Sequence, residues 1–178
     1  MTRRSAILVI ALTLGSASFS GKVLAGSADG PLDQIGGACV PDGETIREGL
    51  YETRGFGVGF RGASTGTIRL LCPFPVNSNM LGANVGLTFL SFIDGDGIGE
   101  GARVQAIFRH AAIGSNVAIT NGVCDSNTST ATGPTNIGCF NPSLTLKIDE
   151  TYWWDIEIQR SDPSINVEFL SVGMRYYN

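Results

Sequence analysis

The 178-residue chain contains one histidine, four cysteines and no two cysteines separated by only two residues. These absences exclude most zinc sites and other transition-metal sites, which are usually built from several such ligands. Twelve lysines and arginines stand against sixteen aspartates and glutamates, so the chain lacks the basic excess of nucleic-acid-binding proteins. No segment keeps an apolar period of 3.6 residues, which argues against a helical bundle. With 43% apolar residues the chain is nevertheless too hydrophobic to be disordered.

Residues 1–25 have the features of a secretory signal peptide. Arg3 and Arg4 form a basic start, an apolar run follows, and Val23-Leu24-Ala25 ends in a small residue that suits cleavage. The apolar run is too short to span a bilayer. We therefore expect a secreted or periplasmic protein that does not insert into the membrane. Removal of the signal peptide would leave nine basic and sixteen acidic residues. Such an acidic surface disfavours nucleic acid and anionic membranes as partners.

The four cysteines indicate disulfide bonds, because an even number of cysteines in an exported chain is usually paired. Four cysteines allow three pairings. We favour Cys39 with Cys72 and Cys124 with Cys139, since each bridge closes a moderate loop. The second pair flanks residues 125–137, a polar segment that we expect to be a surface loop. Residues 26–38 are expected to form a loose N-terminal tail, and residues 39–178 a single domain.

Short runs rich in β-forming residues, separated by glycine, asparagine, aspartate and proline, indicate an all-β fold. In residues 152–159 the apolar side chains alternate strictly with polar ones, as in a half-buried antiparallel strand. We predict an antiparallel, jelly-roll-like β-sandwich of about eight or nine strands. The predicted strands are Thr45–Thr53, Gly57–Phe60, Thr67–Cys72, Val85–Ile93, Ala102–His110, Val117–Val123, Ser143–Ile148, Tyr152–Arg160 and Val167–Tyr177.

Asp155 and Glu157 form a candidate catalytic pair, because alternate residues of a strand point in the same direction. Two neighbouring carboxyl groups are the catalytic groups of most glycoside hydrolases. The segment resembles the strand motif of jelly-roll glycosidases, in which Glu, an apolar residue, Asp, two mostly apolar residues and Glu follow one another. Here the two acid types are exchanged, and Arg160 stands at the last Glu. The alternative is an ordinary solvated strand face.

Trp153 shares the polar face of this strand, and Tyr176 and Tyr177 lie near the chain end. Exposed Trp and Tyr side chains on a sandwich resemble the sugar-stacking residues of carbohydrate-binding modules, which makes these three residues candidate glycan contacts. The penultimate Tyr177 is also similar to that of chaperone-assembled pilins, which implies self-assembly through an unpaired groove or edge strand near Val167–Tyr177. The stretches TGTIRLLCP and DGDGIGEGARVQA resemble short secreted bacterial proteins of unknown function.

Residues 94–100 place acids at alternate positions, with Asp94 and Asp96 followed by Glu100. The segment resembles the first half of a helix–loop–helix calcium loop, and three carboxylates in one loop would repel one another without a cation. A weak calcium site is therefore one interpretation of these residues. A simple hairpin turn rich in glycine is the other, and no other cofactor is expected.

Taken together, these patterns predict an exported, disulfide-stabilised binding or structural module without catalytic activity. Its expected partner is a glycan or another cell-surface protein. Two alternatives remain open, a glycan-active hydrolase that uses Asp155 and Glu157, and a pilin-like surface subunit.

Overall fold

The computed structural model describes residues 30–140 and 142–177, with side chains from residue 33 onward. Residues 1–29, and with them the expected signal peptide and the start of the expected tail, lie outside the described residues. The described chain forms one short α-helix and twelve strands. In chain order the elements are β1 Gly30–Ile35, β2 Val40–Pro41, α1 Gly43–Glu48, β3 Tyr51–Arg54, β4 Gly57–Phe60, β5 Gly66–Phe74, β6 Asn84–Asp94, β7 Ala102–Ala112, β8 Ile119–Asp125, β9 Thr135–Gly138, β10 Leu144–Thr145, β11 Glu150–Arg160 and β12 Val167–Tyr177.

The strands form two antiparallel sheets, which confirms the predicted β-sandwich. The seven-stranded sheet has the order β10-β6-β12-β4-β3, with β1 added to β12 and β9 added to β6. The five-stranded sheet has the order β2-β5-β11-β7-β8. The long strands β5, β7 and β11 occupy the centre of this second sheet, so their outward side chains form its outer face.

The core lies between the sheets and follows from the period-two alternation. Along β11, Tyr152, Trp154, Ile156 and Ile158 are all buried, while every residue between them is partly exposed. Strands β6 and β12 supply the opposite side of the core with residues such as Phe92 and Phe169. Each large apolar side chain buried in this way contributes about 1.5–3 kcal/mol to stability, less the entropy of ordering it.

The segment Thr45–Thr53, predicted as one strand, instead contains helix α1 followed by β3. Asp42 caps the helix by accepting a hydrogen bond of 2.7 Å from the Thr45 backbone N–H. Gly49 ends it in a left-handed conformation with a φ of 62°. This Asp…Gly pair is a recognised helix start and stop signal, and it outweighs the short alternation that suggested a strand.

Two other segments are more ordered than the sequence predicts. Residues 30–35, expected in the loose tail, form β1 and pair in register with β12 from Ile35 opposite Ser171 to Gly30 opposite Tyr176. Residues 135–138, of which the first three were expected in the surface loop, form β9 and pair with β6. Each of these two short strands pairs with a long strand of the sheet. Their β structure therefore depends on tertiary pairing rather than on a strong local pattern.

The structure contains the two disulfides that the loop lengths favour. Cys39 is bonded to Cys72, and Cys124 is bonded to Cys139, with sequence separations of 33 and 15 residues. The first bridge ties the residue before β2 to β5. The second connects β8 of the five-stranded sheet to the residue that follows β9 of the seven-stranded sheet. Disulfides persist in oxidising compartments, which agrees with an extracytoplasmic protein.

None of the described helices has the length and hydrophobicity to cross a membrane.

Candidate functional site

The outer face of the five-stranded sheet carries rows of charged, amide and apolar side chains. Strand register places Glu157 of β11 between Arg69 of β5 and Gln105 of β7. One row further along, Asp155 lies between Leu71 and Ile107. Leu71 is 46% exposed, so this face is open to solvent in the described part of the chain.

Each acid on this face contacts a guanidinium group. Glu157 Oε2 lies 3.2 Å from Arg69 Nε, and Asp155 Oδ2 lies 2.6 Å from Arg109 Nε. These pairs are half-exposed, so each contributes little to stability, typically less than about 1 kcal/mol. Their main consequence is geometric, because they hold donors and acceptors side by side on a rigid sheet.

Arg103 and Asp125 form a third pair on the same face, and Asp125 also accepts from the Asn127 backbone N–H at 3.2 Å. Burial opposes ionisation of Asp125, but Arg103 and the Asn127 N–H hold its pKa below the usual value. The Asp125 hydrogen bond in turn raises the pKa of Arg103. Both groups therefore stay charged at neutral pH.

A groove of about 380 Å³ runs across the middle of this face. We call it the sheet groove, and its side chains include Arg69, Leu71, Ile107, Arg109, Asp155 and Glu157. Trp153 borders it, since its indole N–H donates to Asp155 Oδ1 at 3.1 Å and its backbone lies opposite Arg109. Trp153 is half-buried, whereas its neighbour Trp154 is fully buried in the core.

Two larger grooves lie elsewhere on the described surface, with volumes of about 550 and 630 Å³. The aromatic residues that line the first, Phe74 and Tyr152, are 8% and 3% exposed, and the second is lined by no aromatic residue. Compared with these two grooves, the sheet groove has a partly exposed aromatic ring at its border and paired charges in its lining.

The predicted aromatic contacts do not share a face. Trp153 belongs to the five-stranded sheet, whereas Tyr176 and Tyr177 end β12 in the seven-stranded sheet. Tyr176 is half-buried, and Tyr177 packs over Gly86. Only Trp153 is adjacent to the candidate catalytic acids.

Arg160, which stands at the last Glu position of the glycosidase motif, is on the opposite side of β11 from Asp155 and Glu157. It is 5% exposed, its Nε donates to the Ser64 carbonyl at 2.7 Å, and its guanidinium lies 4.7 Å from the centre of the Phe60 ring. Arg160 therefore anchors a loop and has no part in the sheet groove.

An edge strand, which is one of the two features that a pilin-like subunit could use near Val167–Tyr177, is not found there in the described residues. Strand β12 is bonded to β6 along one side and to β4 and β1 along the other. It is thus a central strand of the seven-stranded sheet. The penultimate Tyr177 does not indicate whether its strand is central or at an edge.

The acidic loop between β6 and β7 holds Asp94 and Asp96 close together but leaves Glu100 exposed. Asp94 is 0% exposed and accepts a hydrogen bond from the Ser126 hydroxyl. Burial raises the pKa of Asp94 to about 6, and the neighbouring Asp96 adds to the increase. No three acidic, cysteine or histidine side chains in the described ranges converge on a common metal position. The predicted set of three carboxylates is therefore not assembled.

No protein-family model and no curated protein matches the chain. One solved structure to which the chain is similar comes from work on the structural basis for the promiscuous specificity of carbohydrate-binding modules from the β-sandwich superfamily. It is 13% identical, with a TM-score of 0.42, and the alignment covers 85% of this chain. The chain spans little more than half of that protein's length, at 55%. A likeness at this level identifies no ligand.

Proposed function

We propose that the chain is a non-catalytic binding module that holds a glycan on the outer face of its five-stranded sheet. The observation that carries this proposal is the position of Trp153 beside the sheet groove. There a half-buried indole ring lies next to two guanidinium–carboxylate pairs on rigid central strands.

The chemistry of the sheet groove suits a polyhydroxylated ligand. A tryptophan ring offers a flat apolar surface for the C–H face of a sugar while its N–H stays bonded to a polar partner. Arginine supplies several donors in a fixed plane, and a carboxylate supplies acceptors, so adjacent hydroxyl groups can be bound in pairs. Arg69 and Arg109 are paired with Glu157 and Asp155, and Asp42 adds a third carboxylate to the lining, so the groove favours a neutral ligand over a strongly anionic one.

The same contacts argue against the hydrolase alternative. Glycoside hydrolysis needs one carboxyl that can carry a proton to the leaving group and a second that is free to act as nucleophile or base. Asp155 is engaged by Arg109 and the Trp153 N–H, and Glu157 by Arg69 and the Gln159 amide. Neither carboxyl is free for these roles, so binding without turnover is the better account.

The proposal is tested by affinity electrophoresis of the purified chain through gels that contain a panel of neutral and acidic polysaccharides. We expect at least one neutral polysaccharide to retard the protein, and Trp153→Ala to abolish the retardation. Phe56→Ala is the matched control, because Phe56 is an aromatic residue that is 73% exposed but lies in the β3–β4 turn of the other sheet.

Tyr177→Ala separates the two candidate faces. If retardation disappears with Tyr177→Ala and persists with Trp153→Ala, the glycan contacts lie on the seven-stranded sheet and our assignment is wrong. Failure of every polysaccharide to retard the wild-type chain contradicts glycan binding and leaves a protein partner. Release of reducing sugar that Glu157→Gln abolishes would instead establish the hydrolase.

A further inference from the structure

The buried acid Asp94 has an unsatisfied oxygen. Its Oδ2 accepts from the Ser126 hydroxyl, but its Oδ1 is inaccessible to solvent and has no hydrogen-bond partner among the described residues. An ionised carboxylate that is removed from water costs several kcal/mol unless a proton, a cation or hydrogen-bond donors compensate it. The Asp94 side chain as a whole is 0% exposed, so bulk solvent does not supply these donors.

Asp96, two residues further along the same loop, has a second unsatisfied oxygen. Its Oδ2 accepts from the Gly101 backbone N–H at 2.8 Å, whereas its Oδ1 is buried without a partner, and its side chain neighbours that of Asp94. A Cβ at Gly99 would lie 2.2 Å from Asp96 Oδ2, so glycine is required there for the carboxyl to fold back over its own loop. No lysine or arginine forms an ion pair with either acid within residues 33–140 and 142–177.

A third oxygen comes from the neighbouring loop. Asn127 Oδ1 lies 3.3 Å from Ser126 Oγ, the same hydroxyl that donates to Asp94. Ser126 has one proton and also accepts from the Val104 N–H, so it donates to Asp94 and leaves Asn127 Oδ1 without that proton. The Asn127 amide N–H₂ in turn donates to the Gly99 carbonyl at 2.9 Å, which fixes the direction of its oxygen.

We propose that Asp94 Oδ1, Asp96 Oδ1 and Asn127 Oδ1 hold one calcium ion that joins the β6–β7 loop to the loop after β8. Calcium prefers carboxylate and amide oxygens, accepts irregular geometry and completes its shell with backbone carbonyls and water. Magnesium demands a near-octahedral arrangement and retains its own water, so it fits this mixed set less well. With only two carboxylates, the dissociation constant is on the order of 0.1–1 mM, the range of extracellular modules.

The rival account is that Asp94 and Asp96 share a proton, so that one neutral acid donates to the other carboxylate. The two accounts predict opposite responses. A cation site gains stability when calcium is added at neutral pH, whereas a shared proton is indifferent to calcium and gains stability when the pH is lowered.

The experiment is thermal unfolding of the full exported chain at pH 7.5, first stripped with EGTA and then titrated with calcium chloride. We expect the unfolding temperature to rise and saturate, with magnesium chloride at equal ionic strength giving a much smaller rise. Calorimetric titration of the wild type should give one site per chain. Absence of both heat and a thermal shift at 10 mM calcium overturns the proposal, whatever the variants do.

Variants then locate the ion. Asp96→Asn and Asn127→Ala should each weaken calcium binding by about tenfold or more, because each removes a ligand or a charge from the set. Glu100→Gln is the matched control, since it neutralises an exposed acid of the same loop and should leave the affinity unchanged. A calcium response that Glu100→Gln abolishes, or that both Asp96→Asn and Asn127→Ala leave intact, overturns the assigned ligands.

Discussion

Removing the Cys124–Cys139 bridge by the double substitution Cys124→Ala and Cys139→Ala tests how the two sheets are held together. The cysteines are 15 residues apart, and cross-linking a loop of this length is worth about 3 kcal/mol, mainly because it restricts the unfolded chain. Cys124 is 1% exposed, so alanine is used in place of serine to avoid burying an unpaired hydroxyl. A loss of this size lowers the unfolding temperature by roughly 6–12 °C in a protein of this length.

The second bridge supplies the internal comparison. Cys39 and Cys72 are separated by 33 residues, so the same chain-entropy relation gives about 3.7 kcal/mol for Cys39→Ala with Cys72→Ala. Guanidinium unfolding of both double variants under non-reducing conditions measures the two losses directly. A smaller loss for the Cys39–Cys72 pair, or a loss below about 1 kcal/mol for either pair, would refute the reasoning. The bridges would then act mainly on the folded state.

Three further changes test other parts of the fold. Asp42→Ala should cost about 1 kcal/mol in thermal unfolding, because it removes the cap of α1. The hydrogen bond from the Thr45 backbone N–H lowers the pKa of Asp42, so the ionised Asp42 stabilises the fold above about pH 4 and this contribution is lost as the pH falls. Asp42→Asn should keep the cap and reduce the loss of stability at acidic pH. Gly57→Ala should cost about 1–3 kcal/mol, since its Cβ would lie 2.9 Å from the Phe169 carbonyl oxygen of β12. A double-mutant cycle on Arg69 and Glu157 should give a coupling below about 1 kcal/mol, because the two side chains are 48% and 32% exposed; a larger coupling would mean that the pair is desolvated.

Strand alternation was sufficient to predict the sandwich and the face of most core residues. Val104, Ala106 and Phe108 of β7 are buried as their alternation predicts, and so are Trp154 and Ile156 of β11. Nine predicted strands became twelve because β1, β2 and β9 have little local pattern of their own. They are ordered by pairing with β12, β5 and β6, and a single sequence does not encode which strands will be neighbours.

The contacts of the sheet groove depend on register, which is why the sequence could identify the acids but not their partners. Asp155 and Glu157 were recognisable from their spacing in one strand. Their guanidinium partners come from β7 and β5, and Arg69 is separated from Glu157 by 88 residues. A register shift of one residue would turn Arg69 into the core and leave Glu157 unpaired. The choice between a catalytic pair and a binding surface therefore required the pairing of three strands.

The acidic loop and the second disulfide, which the sequence presents as separate features, are parts of one structural unit. Asp94 accepts a hydrogen bond from Ser126, 32 residues further along the chain, and Asn127 Oδ1 lies 3.3 Å from the same hydroxyl. Cys124 lies two residues before Ser126 and is bonded across the sandwich to Cys139, which limits how far the loop of Ser126 and Asn127 can move from the acids. Spacing within residues 94–100 suggested Glu100 as the third ligand, because a local motif contains only residues that are close in sequence. Our proposal uses Asn127 in its place, a residue that only the folded arrangement of the two loops brings near.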